Sequence, residues 1–257
     1  MTVQEQWIAF ATIVRKETNR FMRIWVQTLI PPAITMSLYF VIFGTLIGSR
    51  IGEMGGYGYM QFVVPGLIMM AVITNSYSNV VSSFYSAKFQ HSIEELLVSP
   101  TPNYIILMGY LVGGSLRGLL VGFIVTLLSL FFADLTIHSL PVVVGIVLMT
   151  SILFSLMGFI NAVYANSFDD ISIIPTFVLT PLTYLGGVFY SISLLPEFWQ
   201  KVSMLNPILY MVNAFRYGVL GVSDINVAYA FVGVFIFIVV LFAYSMYLLN
   251  SGKRLRN

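Results

Sequence analysis

Six long apolar stretches, at about 25–47, 59–86, 105–133, 141–166, 171–195 and 228–250, constrain this chain more than any motif in it. A hydrocarbon core of ~30 Å takes about 20 apolar residues to cross as a helix, and each stretch supplies them. Barrel strands would instead alternate apolar and polar residues over about ten positions. The run from Val227 to Leu249 is almost continuously apolar and too long for that. The chain is therefore read as an all-α integral membrane protein, a single domain of six transmembrane helices over 25–257. Composition agrees: 9% of its 257 residues are charged and 58% hydrophobic, against roughly 25% charged in a soluble domain. A soluble globular fold is excluded, and one copy is too short for ten or twelve spans.

Residues 1–24 place Arg15, Lys16, Arg20 and Arg23 among Trp7, Phe10, Val14, Phe21 and Trp25 at near-helical spacing. This predicts an amphipathic helix on the membrane surface, its basic side chains toward lipid head groups. No apolar core with a small-residue cleavage site follows the start, so a cleaved signal peptide is not expected. Counting Lys and Arg sets the orientation. With both termini cytoplasmic, that side carries eight (Arg15, Lys16, Arg20, Arg23, Lys88, Lys253, Arg254 and Arg256) and the other three (Arg50, Lys201 and Arg216). The external piece at 196–227 is too apolar for a solvated loop, with Phe198, Trp199, Ile208, Tyr210 and Phe215. Over about 196–222 it is expected to re-enter the membrane or pack on its outer face, because irregular backbone at that depth must be buried in protein.

Several chemistries are excluded early. With no cysteine and only His91 and His138, thiolate and multi-histidine metal sites are ruled out, and no nucleophile, base and orienter come together. The net charge of +2 reflects clusters near span ends and says nothing for nucleic acid. No acid lies clearly within a span, which disfavours ion-coupled transport. The two three-span halves share no proline or glycine positions, so an inverted-repeat carrier is unsupported.

The loop between the second and third stretches carries the sharpest motif. Ser92 to Pro102 reads as a short acidic amphipathic helix stopped by Pro100 and Pro102, within a segment at about 90–101. It is either a plain interfacial turn or a docking helix, with Glu94 and Glu95 presenting charge and Leu96 and Leu97 an apolar ridge to a soluble partner. With this motif in view, the chain resembles the permease subunits of ABC exporters with the type-2 transmembrane domain. The resemblance covers nearly the whole chain. It rests on the basic N-terminal helix, the six spans, the run Ile93-Glu94-Glu95-Leu96-Leu97-Val98-Ser99-Pro100, and Pro196-Glu197-Phe198-Trp199 followed by Asn206-Pro207 and Tyr210-x5-Arg216.

The resemblance implies an exporter in a bacterial inner membrane that works as a homodimer. Glu94, Glu95, Leu96, Leu97, Ser99 and Pro100 would contact a separate ATP-binding subunit. ATP and Mg would sit on that partner, with no cofactor in this chain. The sequence agrees with this division, since its only Gly-Lys pair, Gly252-Lys253, has Tyr247 where a phosphate loop needs its first glycine. In the resembled family the second and fifth spans line the substrate path. That implicates Asn75, Tyr77 and Asn79 on one and Phe177, Thr180 and Tyr184 on the other, with Phe189 and Tyr190 nearby. An ATPase-independent channel or carrier is the alternative.

Four further residues are singled out as structural or gating. Arg117 lies among Gly109, Gly113, Gly114, Gly118 and Gly122, a stripe where another helix can approach closely. It either reaches Asp169 or Asp170 or snorkels past Gly109. Asn206 and Pro207 suit a cap or turn. Arg216 either snorkels to the outer interface or takes an ion pair. Pro31, Pro32, Pro65, Pro175 and Pro181 are expected to bend or break their helices.

Overall fold

The computed structural model describes residues 1–252; Lys253, Arg254 and Arg256, three of the cations counted above, lie outside them. Helix α1 (Val3–Arg23) begins in a capping box, in which Thr2 Oγ1 accepts from the Glu5 N–H and the Glu5 carboxylate accepts from the Thr2 N–H. Ile24, at φ −114°, breaks the helix. Helix α2 (Trp25–Ile51) then runs with a π-helical stretch at Ile42–Ile47. It ends at Gly52, φ +77°, and a two-residue hairpin follows, β1 (Glu53–Met54) pairing antiparallel with β2 (Tyr57–Gly58). Gly55 and Gly56 turn it at φ +63° and +82°, a conformation that suits two glycines.

Six more apolar or amphipathic helices build the body: α3 (Tyr59–Phe89), α4 (Ser92–Val98), α5 (Asn103–Ser129), α6 (Leu140–Tyr164), α7 (Asp170–Leu185) and α8 (Glu197–Met204). Two close the chain, α9 (Pro207–Leu220) and α10 (Val227–Ser251). Helices α2, α3, α5, α6 and α10 are long and apolar enough to cross a membrane. The fifth expected span, 171–195, is shorter. Helix α7 stops at Leu185 before Gly187 turns the chain at φ +70°. At 1.5 Å per residue it covers about 24 Å, less than a hydrocarbon core. Pro175 opens a π-helical stretch to Leu179 inside α7, whereas α2 and α3 run unbroken through Pro31, Pro32 and Pro65.

Helix α3 is the central element. It packs on α5, α6 and α9, and α10 covers α6 and α9. The glycine stripe of α5 explains the closeness: a Cβ added at Gly122 would stand 2.6 Å from Val72 Cγ2, and one at Gly118 would overlap Ser76 Oγ. The same helix uses Gly109 and Gly113 to seat Ile13 and Glu17 of α1. Helix α1, amphipathic as its sequence predicts, also packs one face on the bundle. Ile13, Glu17 and Phe21 are buried against the bundle, Arg20 turns inward, and Arg15, Lys16 and Arg23 remain exposed.

Both ends of the described chain lie at one end of the bundle. Asn103 at the start of α5 donates to Asn250 Oδ1 near the end of α10 at 2.8 Å, and Tyr104 donates to Gln6 of α1 at 2.9 Å. The opposite end is tied by Tyr57 donating to the Leu220 carbonyl at 2.5 Å and Gln61 to the Asp134 carbonyl at 3.1 Å. A Gly118→Leu substitution is expected to cost about 1–3 kcal/mol or prevent folding, since overpacking of a tight contact has no cheap relaxation. Leu116→Ala, on the exposed side of α5, is expected to change stability by under about 1 kcal/mol. Thermal unfolding of both variants in detergent checks the pair.

Candidate functional site

Three regions collect the candidate residues, beginning with α4 at the end that holds the chain's ends. His91 turns the chain sharply in the left-handed region, φ +58°, so that α4 folds back under α3. Ile93 is buried and Ser92 Oγ donates to the Ala87 carbonyl, which anchor the helix. Glu94 pairs with His91 Nδ1 at 3.0 Å, while Glu95 is exposed. Ser99 Oγ donates to the Leu96 carbonyl at 2.6 Å and ends the helix ahead of exposed Pro100.

The apolar ridge differs from the expectation. Leu96 and Leu97 pack inward on the core, because a seven-residue helix must bury one face to stay attached. The outward apolar groups are Val98, 81% exposed, and an edge-on aromatic cluster in which Phe168 meets Tyr85 and Phe89. Phe89 and Phe168 lie outside the loop motif, and only the tertiary fold brings them together. Lys88, counted above among the cytoplasmic cations, is buried and donates to the Val163 and Ala165 carbonyls at 2.8 and 2.9 Å, capping α6. Nearby Asp170 accepts from the Asn166 N–H at 2.8 Å. That bond, with the Ser167 contacts behind it, holds its carboxyl below the ordinary carboxylate range.

A polar layer joins α1, α3, α5 and α6. Arg20 Nη2 donates to the Asn79 carbonyl at 2.9 Å and to Asn79 Oδ1 at 2.7 Å, and its Nε meets Glu17 Oε2 at 3.4 Å. Arg117 Nη2 donates to Asn75 Oδ1 at 3.3 Å, so its partner is Asn75 and neither Asp169 nor Asp170. Its neighbouring glycines admit α3 so closely that an amide on α3 is within reach before any distant carboxylate. Tyr77 accepts from Asn161 Nδ2 at 2.6 Å. Glu17, 1% exposed, is a buried acid that sequence reasoning missed, because it sits in α1 and no span contains it.

The proposed path residues divide accordingly. Asn75 and Asn79 are spent inside the subunit, and only Tyr77 of the three reaches the crevice between α3 and α7. That crevice, about 210 Å³, is lined by Thr74, Tyr77, Ser78, Thr176, Thr180 and Thr183 among others. Phe177 at 73% and Tyr184 at 44% exposure stand on the outward face of α7, and Phe189 stacks on Phe43 of α2 instead.

At the opposite end, Asn206 Oδ1 accepts from the Ile208 N–H at 3.0 Å and its Nδ2 donates to the Leu182 carbonyl, with Pro207 as the first residue of α9. Asn206 thus caps α9 and ties it to α7. Arg216 takes neither role considered for it. It is 1% exposed and held by carbonyls, Nε to Phe62 at 3.2 Å and Nη2 to Gly187 at 2.6 Å, its guanidinium 3.8 Å above the Phe62 ring centre. Arg20→Met leaves Glu17 buried without its cation and is expected to cost on the order of 3 kcal/mol. The exposed Arg15→Met is expected to cost under about 1 kcal/mol; thermal unfolding in detergent distinguishes them.

Comparison with known proteins matches the ABC-2 type transporter family over residues 8–220. The chain is 58% identical over 251 residues to the inner membrane transport permease YadH of Escherichia coli K12, covering 98% of each chain. It is 24% identical over 218 residues to nodulation protein J of Rhizobium leguminosarum bv. viciae, covering 83% of each.

Proposed function

We propose, from the premise that this chain belongs to the ABC-2 type transporter family, that it is the inner-membrane permease subunit of an ATP-driven exporter. It works as a homodimer, both termini cytoplasmic, with ATP and Mg held by a separate ATP-binding subunit. The observation that carries the reading is the outward face of α4: Glu95 and Val98 stand exposed on a helix tied to α3 by the Ser92–Ala87 hydrogen bond and anchored by buried Ile93. A push on α4 therefore moves α3 with it. The exposed aromatics Phe89 and Phe168 extend the same surface and suit burial against a soluble partner.

Helix α7 supplies the fifth of six spans together with the turn that follows it, and the 196–222 segment re-enters the membrane from outside. Two copies face each other across α3 and α7, so the crevice holding Tyr77 and Thr180, with Phe177 and Tyr184 at its edge, lines the substrate path. The polar layer at Arg20, Asn79 and Arg117 keeps α1, α3 and α5 moving as one body when the ATPase pair closes, in the rigid-body manner of alternating access.

Co-expression with the candidate ATPase followed by detergent purification tests this. The two chains are expected to co-purify, and the Glu94→Arg/Glu95→Arg pair is expected to weaken association about tenfold, a reversal of charge at an interface rim. Undiminished association in that variant removes the docking assignment. A chain that purifies alone and conducts substrate without ATP overturns the exporter reading in favour of a channel or carrier.

A further inference from the structure

At the end of the bundle away from α1, a cavity of about 530 Å³ opens between the β1–β2 hairpin, the turn at 191–194 and α9. Its charged lining is Arg216, Asp224 and Glu53. Arg216 commits Nε and Nη2 to carbonyls, and its buried Nη1 has no hydrogen-bond partner. A guanidinium taken out of water with a donor left over is costly unless something completes it. Asp224 is engaged, accepting from Ser191 Oγ at 2.7 Å and from the Ile192 N–H at 3.3 Å. Glu53 is exposed on the hairpin at the cavity's edge.

These charges narrow the ligand. A simple anion would meet Arg216 but also two carboxylates, and a simple cation would meet the carboxylates but also a desolvated guanidinium. A molecule with one charge of each sign satisfies both. Guanidinium favours phosphate oxygens, and a primary ammonium offers three donors to a carboxylate. Ile51 and Leu194, both exposed and both lining the cavity, give it an apolar rim suited to a hydrocarbon tail.

We propose that this cavity binds a zwitterionic head group of phosphate and primary ammonium, the phosphate on Arg216 Nη1 and the ammonium on Glu53. The ligand bridges the hairpin, the 191–194 turn and α9, which all line the cavity. The site is separate from the crevice between α3 and α7 and does not rest on the exporter reading. The same chemistry occurs on an aminophospholipid of the surrounding membrane and on a free phosphoethanolamine.

Native mass spectrometry and thermal-shift titration of the delipidated full chain in detergent test the proposal. The probes are dihexanoyl phosphatidylethanolamine, dihexanoyl phosphatidylglycerol, phosphoethanolamine and inorganic phosphate. The ethanolamine lipid is expected to bind about tenfold more tightly than the glycerol lipid, the size of one charged hydrogen bond. Glu53→Gln, an exposed change that leaves Arg216 and its carbonyls untouched, is expected to erase that preference. Binding of phosphoethanolamine as tight as the lipid's supports the site with a soluble source; binding of the lipid alone supports a membrane source. Equal affinity for the two lipids in the native chain, a preference that survives Glu53→Gln, inorganic phosphate binding as tightly as either zwitterion, or no binding of any probe overturns it.

Discussion

The approach of α3 to the glycine face of α5 governs how everything else is placed. In lipid there is little hydrophobic gain from pairing two apolar helices, so association depends on dispersion contacts and on polar groups meeting across a short gap. Gly114, Gly118 and Gly122 shorten that gap until Val72, Ser76 and Val80 of α3 rest against the α5 backbone. Gly158 of α6 does the same from another side, where a Cβ would stand 2.5 Å from the Tyr77 carbonyl oxygen. Helix α3 is thereby gripped along its length, which is why it is the most buried span in the bundle.

Because α3 is gripped, short polar side chains on it can be used as fixed points. Asn75 and Asn79 are near enough to α5 and α1 for Arg117 and Arg20 to reach them. Tyr77 is near enough to α6 to meet Asn161. The continuation of the gripped α3 into His91 and α4 then carries the exposed Glu95 and Val98. At the far end the grip is looser in kind: Arg216 gathers the Phe62 and Gly187 carbonyls, holding α3, the chain after α7 and α9 together by charge and dipole.

Helical periods and span lengths were legible residue by residue for α3, α5, α6 and α10, where long apolar runs leave no competing structure. Helix α4 was legible from Pro100 and Pro102 and from its acidic start. The direction of its apolar face was not, because Leu96 and Leu97 have the same local pattern whether they face a partner or the core. The glycine stripe announced a close helix contact, but nothing in it named Ser76 as the contact. Glu17 was hidden by its neighbours Arg15, Lys16 and Arg20, which make the segment look wholly surface-bound. Phe89 and Phe168 are 79 positions apart in number and carried no joint signal.

What the sequence determined by itself is the solvent each segment must live in. Apolar length, the paucity of charge and the distribution of Lys and Arg follow from transfer free energies that act residue by residue, so they can be added along the chain. What only the tertiary structure decided is partnership: that Arg117 meets Asn75, that Lys88 caps α6, that Arg216 is held by carbonyls, and that Glu17 is buried. Each depends on distances between helices that no local pattern encodes. A polar group inside a bundle bonds to whatever the packing brings within about 3 Å.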